Sequence, residues 1–122
     1  NPEEGKSVTT INLAFAFAHS IENHVLLIDL DFHRPSIHKK LGFSPRYGLI
    51  DYLTGDIPIS EILFGIPGSN CIVIPGRDIK SIPHDLLRSD RIKKFHKLIN
   101  QLLPACYIFY DMPPVLAVDD AI

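Results

Sequence analysis

Val25-Leu26-Leu27-Ile28-Asp29-Leu30-Asp31 is the stretch on which the reading of this chain turns. Four apolar residues in succession, without the alternation of a strand that has one wet face, predict a strand buried on both sides, as in a parallel sheet. The run ends in a carboxylate, and a second follows after one intervening residue. If the backbone stays extended, Asp29 and Asp31 face the same side. The polar stretch from Asp31 to Pro35 is then a loop at the carboxyl end of the strand, where open α/β sheets hold their ligands.

Upstream of this strand, Ile11, Ala14, Phe15 and Ala18 recur at helical spacing, and neither Gly nor Pro interrupts the run from Lys6 to Asn23. A helix followed by a buried strand defines an α/β fold. The helix follows Gly5-Lys6-Ser7, the back half of a phosphate-binding loop whose front half would lie upstream of Asn1. In such a loop, backbone amides and the helix N-terminus cradle phosphate oxygens, Lys neutralises charge and Ser holds magnesium. An ordinary loop before a helix produces the same triplet, so these three residues do not decide the matter alone.

Downstream, Ser36 to Leu41 reads as a short helix closed by Gly42, and Leu49 to Leu53 and Ile59 to Phe64 as two more. Cys71 to Ile74 is a second buried strand, stopped by Pro75-Gly76. A helical turn is expected from Asp85 to Leu87, and Ser89 is placed to cap a longer helix. That helix gathers Ile92, Phe95, Ile99, Leu102 and Leu103 on one stripe; the surrounding Arg91, Lys93, Lys94 and Lys97 read as a solvated surface. Tyr107 to Tyr110 is a third buried strand and also ends in a carboxylate, Asp111. A further helix is expected to begin after Asp119 or Asp120.

With 122 residues and 46% hydrophobic content, the chain can bury one core, so it is one domain or part of one. Twelve basic residues against fourteen acidic ones give a net charge of -2, with no broad positive field to attract nucleic acid or an anionic membrane. Cys71 and Cys106 lie in separate apolar runs, which suits buried thiols of a reducing compartment better than a disulfide framework or metal site. No apolar run approaches the ~20 residues that span a bilayer, and no signal peptide is recognisable. The expectation is a soluble, cytoplasmic protein.

The chemistry lies in three places that a parallel sheet brings to one edge: Lys6 with Ser7, Asp29 with Asp31, and Asp111. A nucleoside triphosphate carries about four negative charges and needs magnesium, which takes hard oxygen ligands from a hydroxyl, carboxylates and water. One carboxylate of the Asp29 and Asp31 pair can approach an attacking hydroxyl or water while the other bonds a magnesium-bound water. A strand-end Asp by itself commonly caps the next helix. All three groups in this order point to a nucleotide site.

Gly5-Lys6-Ser7, Leu26 to Asp31 with Arg34-Pro35, and Ile108 to Leu116 resemble the Walker A, Walker A′ and Walker B motifs of bacterial protein-tyrosine kinases. These are deviant-Walker autokinases of capsule and exopolysaccharide synthesis. The similarity continues through Gly48-Leu49, Tyr52 to Gly55, Val73 to Gly76, Asp85 to Leu87 with Ser89, and Val118 to Ala121. The resemblance implies a P-loop NTPase-like three-layer α/β/α domain with a mostly parallel sheet, and ATP and Mg2+ as cofactors. It implies a nucleotide site at Gly5, Lys6, Ser7 and Val8, with Lys6 on the β- and γ-phosphates, and a magnesium site at Ser7, Asp31 and Asp111. Asp29 would be the base toward the tyrosine hydroxyl. The implied partners are a membrane polysaccharide co-polymerase as activator and further copies of the protein; the implied location is the inner face of the cell membrane.

Three positions depart from the family pattern: Glu3 where Gly is usual, His33 where Arg is common, and Met112 where Thr or Ser stands beside the Walker B Asp. The related partition and cell-division switch ATPases carry a signature Lys at the position of Asn1, which counts against that class. A nucleotide-binding, non-catalytic regulator of the co-polymerase is the other alternative. Because the family's loop joins a buried strand to a helix, residues 1–122 are expected to form a partial domain without that upstream strand and without a C-terminal part. Such a fragment alone is expected to aggregate and to lack kinase activity.

Overall fold

A computed structural model describes residues 2–55, 57–82, 86 and 90–112, with the backbone alone for 2–4 and 6. The first element, α1, runs from Pro2 to Ser20. It starts earlier than the sequence suggests and takes the Gly5-Lys6-Ser7 triplet into its first turns. Pro2 occupies the first helical position, where its missing N–H costs nothing. At the other end the helix stops at Ser20, whose hydroxyl donates to the Phe17 carbonyl at 2.9 Å.

Strand β1 (Val25–Asp29) is buried at every position. It lies between β3 (Cys71–Ile74) and β4 (Tyr107–Asp111), pairing with both in parallel; with β2 (Phe64–Gly65) the sheet order is β2-β3-β1-β4. The two-residue strand β2 runs antiparallel to β3. This corrects the helix expected from Ile59 to Phe64. Only Ile59–Ile62 coils, as a 3₁₀ turn, and the chain then straightens to pair with β3.

Alternation along β1 divides the core in two. Val25 and Leu27 pack with Cys71, Val73 and the Ile11, Ala14 and Ala18 stripe of α1. Leu26 and Ile28 pack with Ile74 and with α3 (Leu49–Thr54), the 3₁₀ turn and α4 (Asp90–Leu102). Helices therefore cover both sheet faces, as the α/β expectation required. Each fully buried Leu or Ile stabilises the fold by roughly 1.5–3 kcal/mol relative to exposure.

β4 is not the fully buried strand that its apolar run suggests. It ends the sheet order, Tyr107 is 48% exposed, and Ile108, Phe109 and Tyr110 are half-buried. Cys106, just before it, is also half-buried, whereas Cys71 inside β3 is fully buried. In α4, Phe95 and Ile99 are buried but Leu102 is exposed, and Leu103 takes the inward place four residues after Ile99. The short helix α2 (Ile37–Leu41) closes on Gly42 at a φ of 81°, whose N–H donates to the Lys39 carbonyl. Ser89, most of the turn expected over 85–87, and everything after Met112 lie outside the described residues.

Candidate functional site

The sheet register brings two of the expected residues side by side. Asp29 and Asp111 end adjacent parallel strands as Cα partners, so alternation turns both carboxylates to the face covered by α1. The N-terminal part of α1 reaches the same edge. Ser7 is buried there, and its hydroxyl donates to Asp111 Oδ2 at 2.9 Å. Ser36, which precedes α2, is bonded oxygen to oxygen with Ser7. Because the single Ser7 proton goes to Asp111, the Ser36 hydroxyl must be the donor in that pair.

Asp29 is held from three directions. Its Oδ1 accepts the Asp31 N–H at 3.0 Å, and its Oδ2 accepts the N–H groups of Ser36 at 3.1 Å and Ile37 at 3.3 Å. The carboxylate thus caps α2 from the preceding strand, while the Ser36 side chain, at the usual capping position, is turned to Ser7. Burial pushes the Asp29 carboxyl up to about 7 and the neighbouring Asp111 adds to the rise, against the lowering effect of the three N–H bonds. A carboxylate in that range can take a proton near neutral pH.

Asp31 is buried, and its Oδ1 accepts the Arg34 N–H at 3.1 Å, which folds the loop back on itself. Gly5, Lys6 and Val8 lie within the first turns of α1 rather than in a loop before it, with Val8 exposed and the Thr9 hydroxyl bonded to the Gly5 carbonyl at 2.8 Å. His33 is exposed and Met112 packs at the margin of the larger core cluster. Ser36 was missed by the sequence reading, although its place just after Arg34-Pro35 and before a helix was a usable signal. Asp51, Gly76 and Arg77 were missed as well, and no local pattern connects them.

Among the described residues, no three His, Cys, Asp or Glu side chains gather in a way that would hold a metal by themselves. The Ser7 hydroxyl and the Asp111 carboxylate are nevertheless hard oxygen donors in mutual contact. That donor set fits magnesium, which binds through one or two carboxylates completed by water and substrate phosphates. No helix among the described residues is long and apolar enough to cross a membrane.

Fold and site define an α/β protein whose polar residues converge at the carboxyl edge of a mostly parallel sheet. No protein-family model matches the chain. It is 31% identical over 121 residues to the tyrosine-protein kinase ptk of Acinetobacter johnsonii, covering 99% of this chain and 16% of that protein. It is 33% identical over 122 residues to the tyrosine-protein kinase YwqD of Bacillus subtilis strain 168, covering 98% of this chain and 49% of the relative. The crystal structure of the VpsO kinase domain superposes with a TM-score of 0.81 at 28% identity, over 97% of this chain and 57% of that one. In sequence and in fold the chain is thus similar to bacterial tyrosine-protein kinases and to a solved kinase domain. It spans about half or less of the length of these two relatives.

Proposed function

We propose that the chain is the nucleotide-handling part of an ATP- and magnesium-dependent protein-tyrosine kinase. The observation that carries this reading is the Ser7–Asp111 bond beside the buried Asp29 at the ends of two adjacent strands. Gly5, Lys6, Ser7 and Val8, at the N-terminal end of α1, would take the phosphates, with Lys6 offsetting negative charge on the β- and γ-phosphates. Ser7, Asp31 and Asp111 would hold magnesium, which when bound neutralises phosphate charge. Asp29 would accept the proton of the attacking tyrosine hydroxyl, and its raised affinity for a proton supports that role.

The relatives' kinase names support transfer to tyrosine rather than a pure switch ATPase. The wider setting belongs to the same proposal: a cytoplasmic autokinase of capsule or exopolysaccharide synthesis, acting with other copies of itself and with a membrane co-polymerase. Incubating the intact protein with magnesium and ATP and mapping phosphotyrosine by mass spectrometry tests the reading. Phosphotyrosine in the wild type and none in Lys6→Ala is the expected result. Phosphate release without phosphotyrosine would replace the kinase with an ATPase, and neither product would leave a nucleotide-binding regulator.

A further inference from the structure

A third loop reaches the carboxyl edge, and it is tied down more firmly than the catalytic proposal requires. Directly after β3, the chain passes Pro75, Gly76 and Arg77. The Arg77 guanidinium grips the Asp51 carboxylate with both ends of its fork, Nε to Oδ2 and Nη2 to Oδ1, each at 2.6 Å. Asp51 Oδ2 also accepts the Gly48 N–H at 2.8 Å, and the Leu49 N–H donates to the Pro75 carbonyl at 2.9 Å. The loop after β3 is thereby fastened to the start of α3 at several points. Exposed ion pairs contribute little. This one is two-pronged and the Asp51 side chain is only 16% exposed, which favours a fixed geometry over a fluctuating one.

The contacts are close enough to exclude side chains. A Cβ on Gly48 would lie 2.8 Å from the Pro75 carbonyl oxygen and 3.0 Å from the Arg77 nitrogen. On the other side of the same loop, a Cβ on Gly76 would lie 2.6 Å from Pro35 Cβ and 3.7 Å from Asp29 Cγ. Pro35 is buried, and it immediately precedes Ser36 and Ile37, whose N–H groups hold Asp29. A continuous line of contact therefore runs from Asp51 through Arg77 and Gly76 to Pro35 and the Asp29 carboxylate.

We infer that Arg77 and Asp51 are positioning residues: their paired fork presses the Pro75-Gly76 turn against Pro35 and so fixes the Asp29 carboxylate for proton transfer, without either residue touching nucleotide. This rests on Asp29 being the base of the proposed reaction. The two charges are supplied by distant segments, one at the start of α3 and one after β3. The pair thus registers those segments against the loop after β1, and losing it frees that loop to shift by the fraction of an ångström that orientation-sensitive chemistry notices.

The test compares Arg77→Gln, Asp51→Asn and Arg77→Lys in the intact protein, by steady-state kinetics and by hydrogen exchange of the Ser36 and Ile37 amides. For Arg77→Gln and Asp51→Asn, kcat is expected to fall about tenfold or more with KM for magnesium-ATP within about twofold. Exchange at Ser36 and Ile37 should accelerate by about tenfold. Arg77→Lys keeps the charge but not the fork, so it should fall between wild type and Arg77→Gln. Wild-type kcat and unchanged exchange in Arg77→Gln would overturn the inference, as would a kcat loss that merely follows the unfolded fraction in all three variants. If the wild type labels no tyrosine, the kinase reading fails separately and exchange alone decides: faster exchange at Ser36 and Ile37 upholds the clamp, and unchanged exchange removes it.

Discussion

Asp29 combines two demands that usually conflict. Full burial raises the cost of its charge, while three backbone N–H groups favour the charged form; burial wins, and the carboxyl rises from 3.8 to about 7. Between those values the folded protein binds a proton more tightly than the unfolded chain. Without nucleotide or metal, the Asp29 contribution to stability therefore declines as pH climbs from about 4 to about 7, and levels off above that. Urea midpoints of wild type and Asp29→Asn at pH 5 and pH 8 check this: the wild type should lose ground to the variant at pH 8. The same variant should bind magnesium-ATP and lose transfer by roughly 10²- to 10⁴-fold, since the amide keeps the shape but not the basic oxygen. Transfer at the wild-type rate would remove Asp29 from the chemistry. His33, exposed and next to Arg34, is the position where a permanent cation is common in the family, so His33→Arg should raise kcat or lower KM for ATP.

The elements differ in how far their sequence determines them. β1 was legible because four consecutive apolar residues without alternation match a strand covered on both faces, and all four are fully buried. β4 has an equally apolar run, but burial also depends on what covers a strand, which its own residues do not record. The sequence places the start of α1 after Gly5-Lys6-Ser7, whereas the helix already runs from Pro2, a residue favoured at a first helical position. The Asp51–Arg77 clamp could not be read at all, because it is made only when α3 and the loop after β3 are folded together. Two substitutions test the packing at this scale. Ile99→Ala in α4, a fully buried position, should cost about 2–5 kcal/mol by chemical denaturation. Gly48→Ala should cost about 1–3 kcal/mol, because its Cβ meets backbone that cannot rotate away.

At the scale of the molecule, parallel topology turns positions scattered through the sequence into one site. Strand order puts the ends of β1 and β4 together, α1 brings Ser7 from the far end of the chain, and the loops after β1 and β3 pack on each other through Pro35 and Gly76. The Asp29, Asp31 and Asp111 pattern was visible in sequence because each follows a recognisable strand. Of their supporting residues, Ser36 had a signal in its place before a helix, whereas Gly76, Arg77 and Asp51 meet only through tertiary contacts. In the proposed function this edge is a magnesium-nucleotide site built on Ser7 and Asp111, whose side chains are already in contact. A crystal structure of the intact protein grown with magnesium and ADP measures it most directly. The metal is expected about 2.0–2.1 Å from Ser7 Oγ, with Asp111 beside it and the phosphates over the N-terminal end of α1; nucleotide seated elsewhere, or a Ser7–Asp111 pair left without metal in a nucleotide-bound protein, would overturn the proposal.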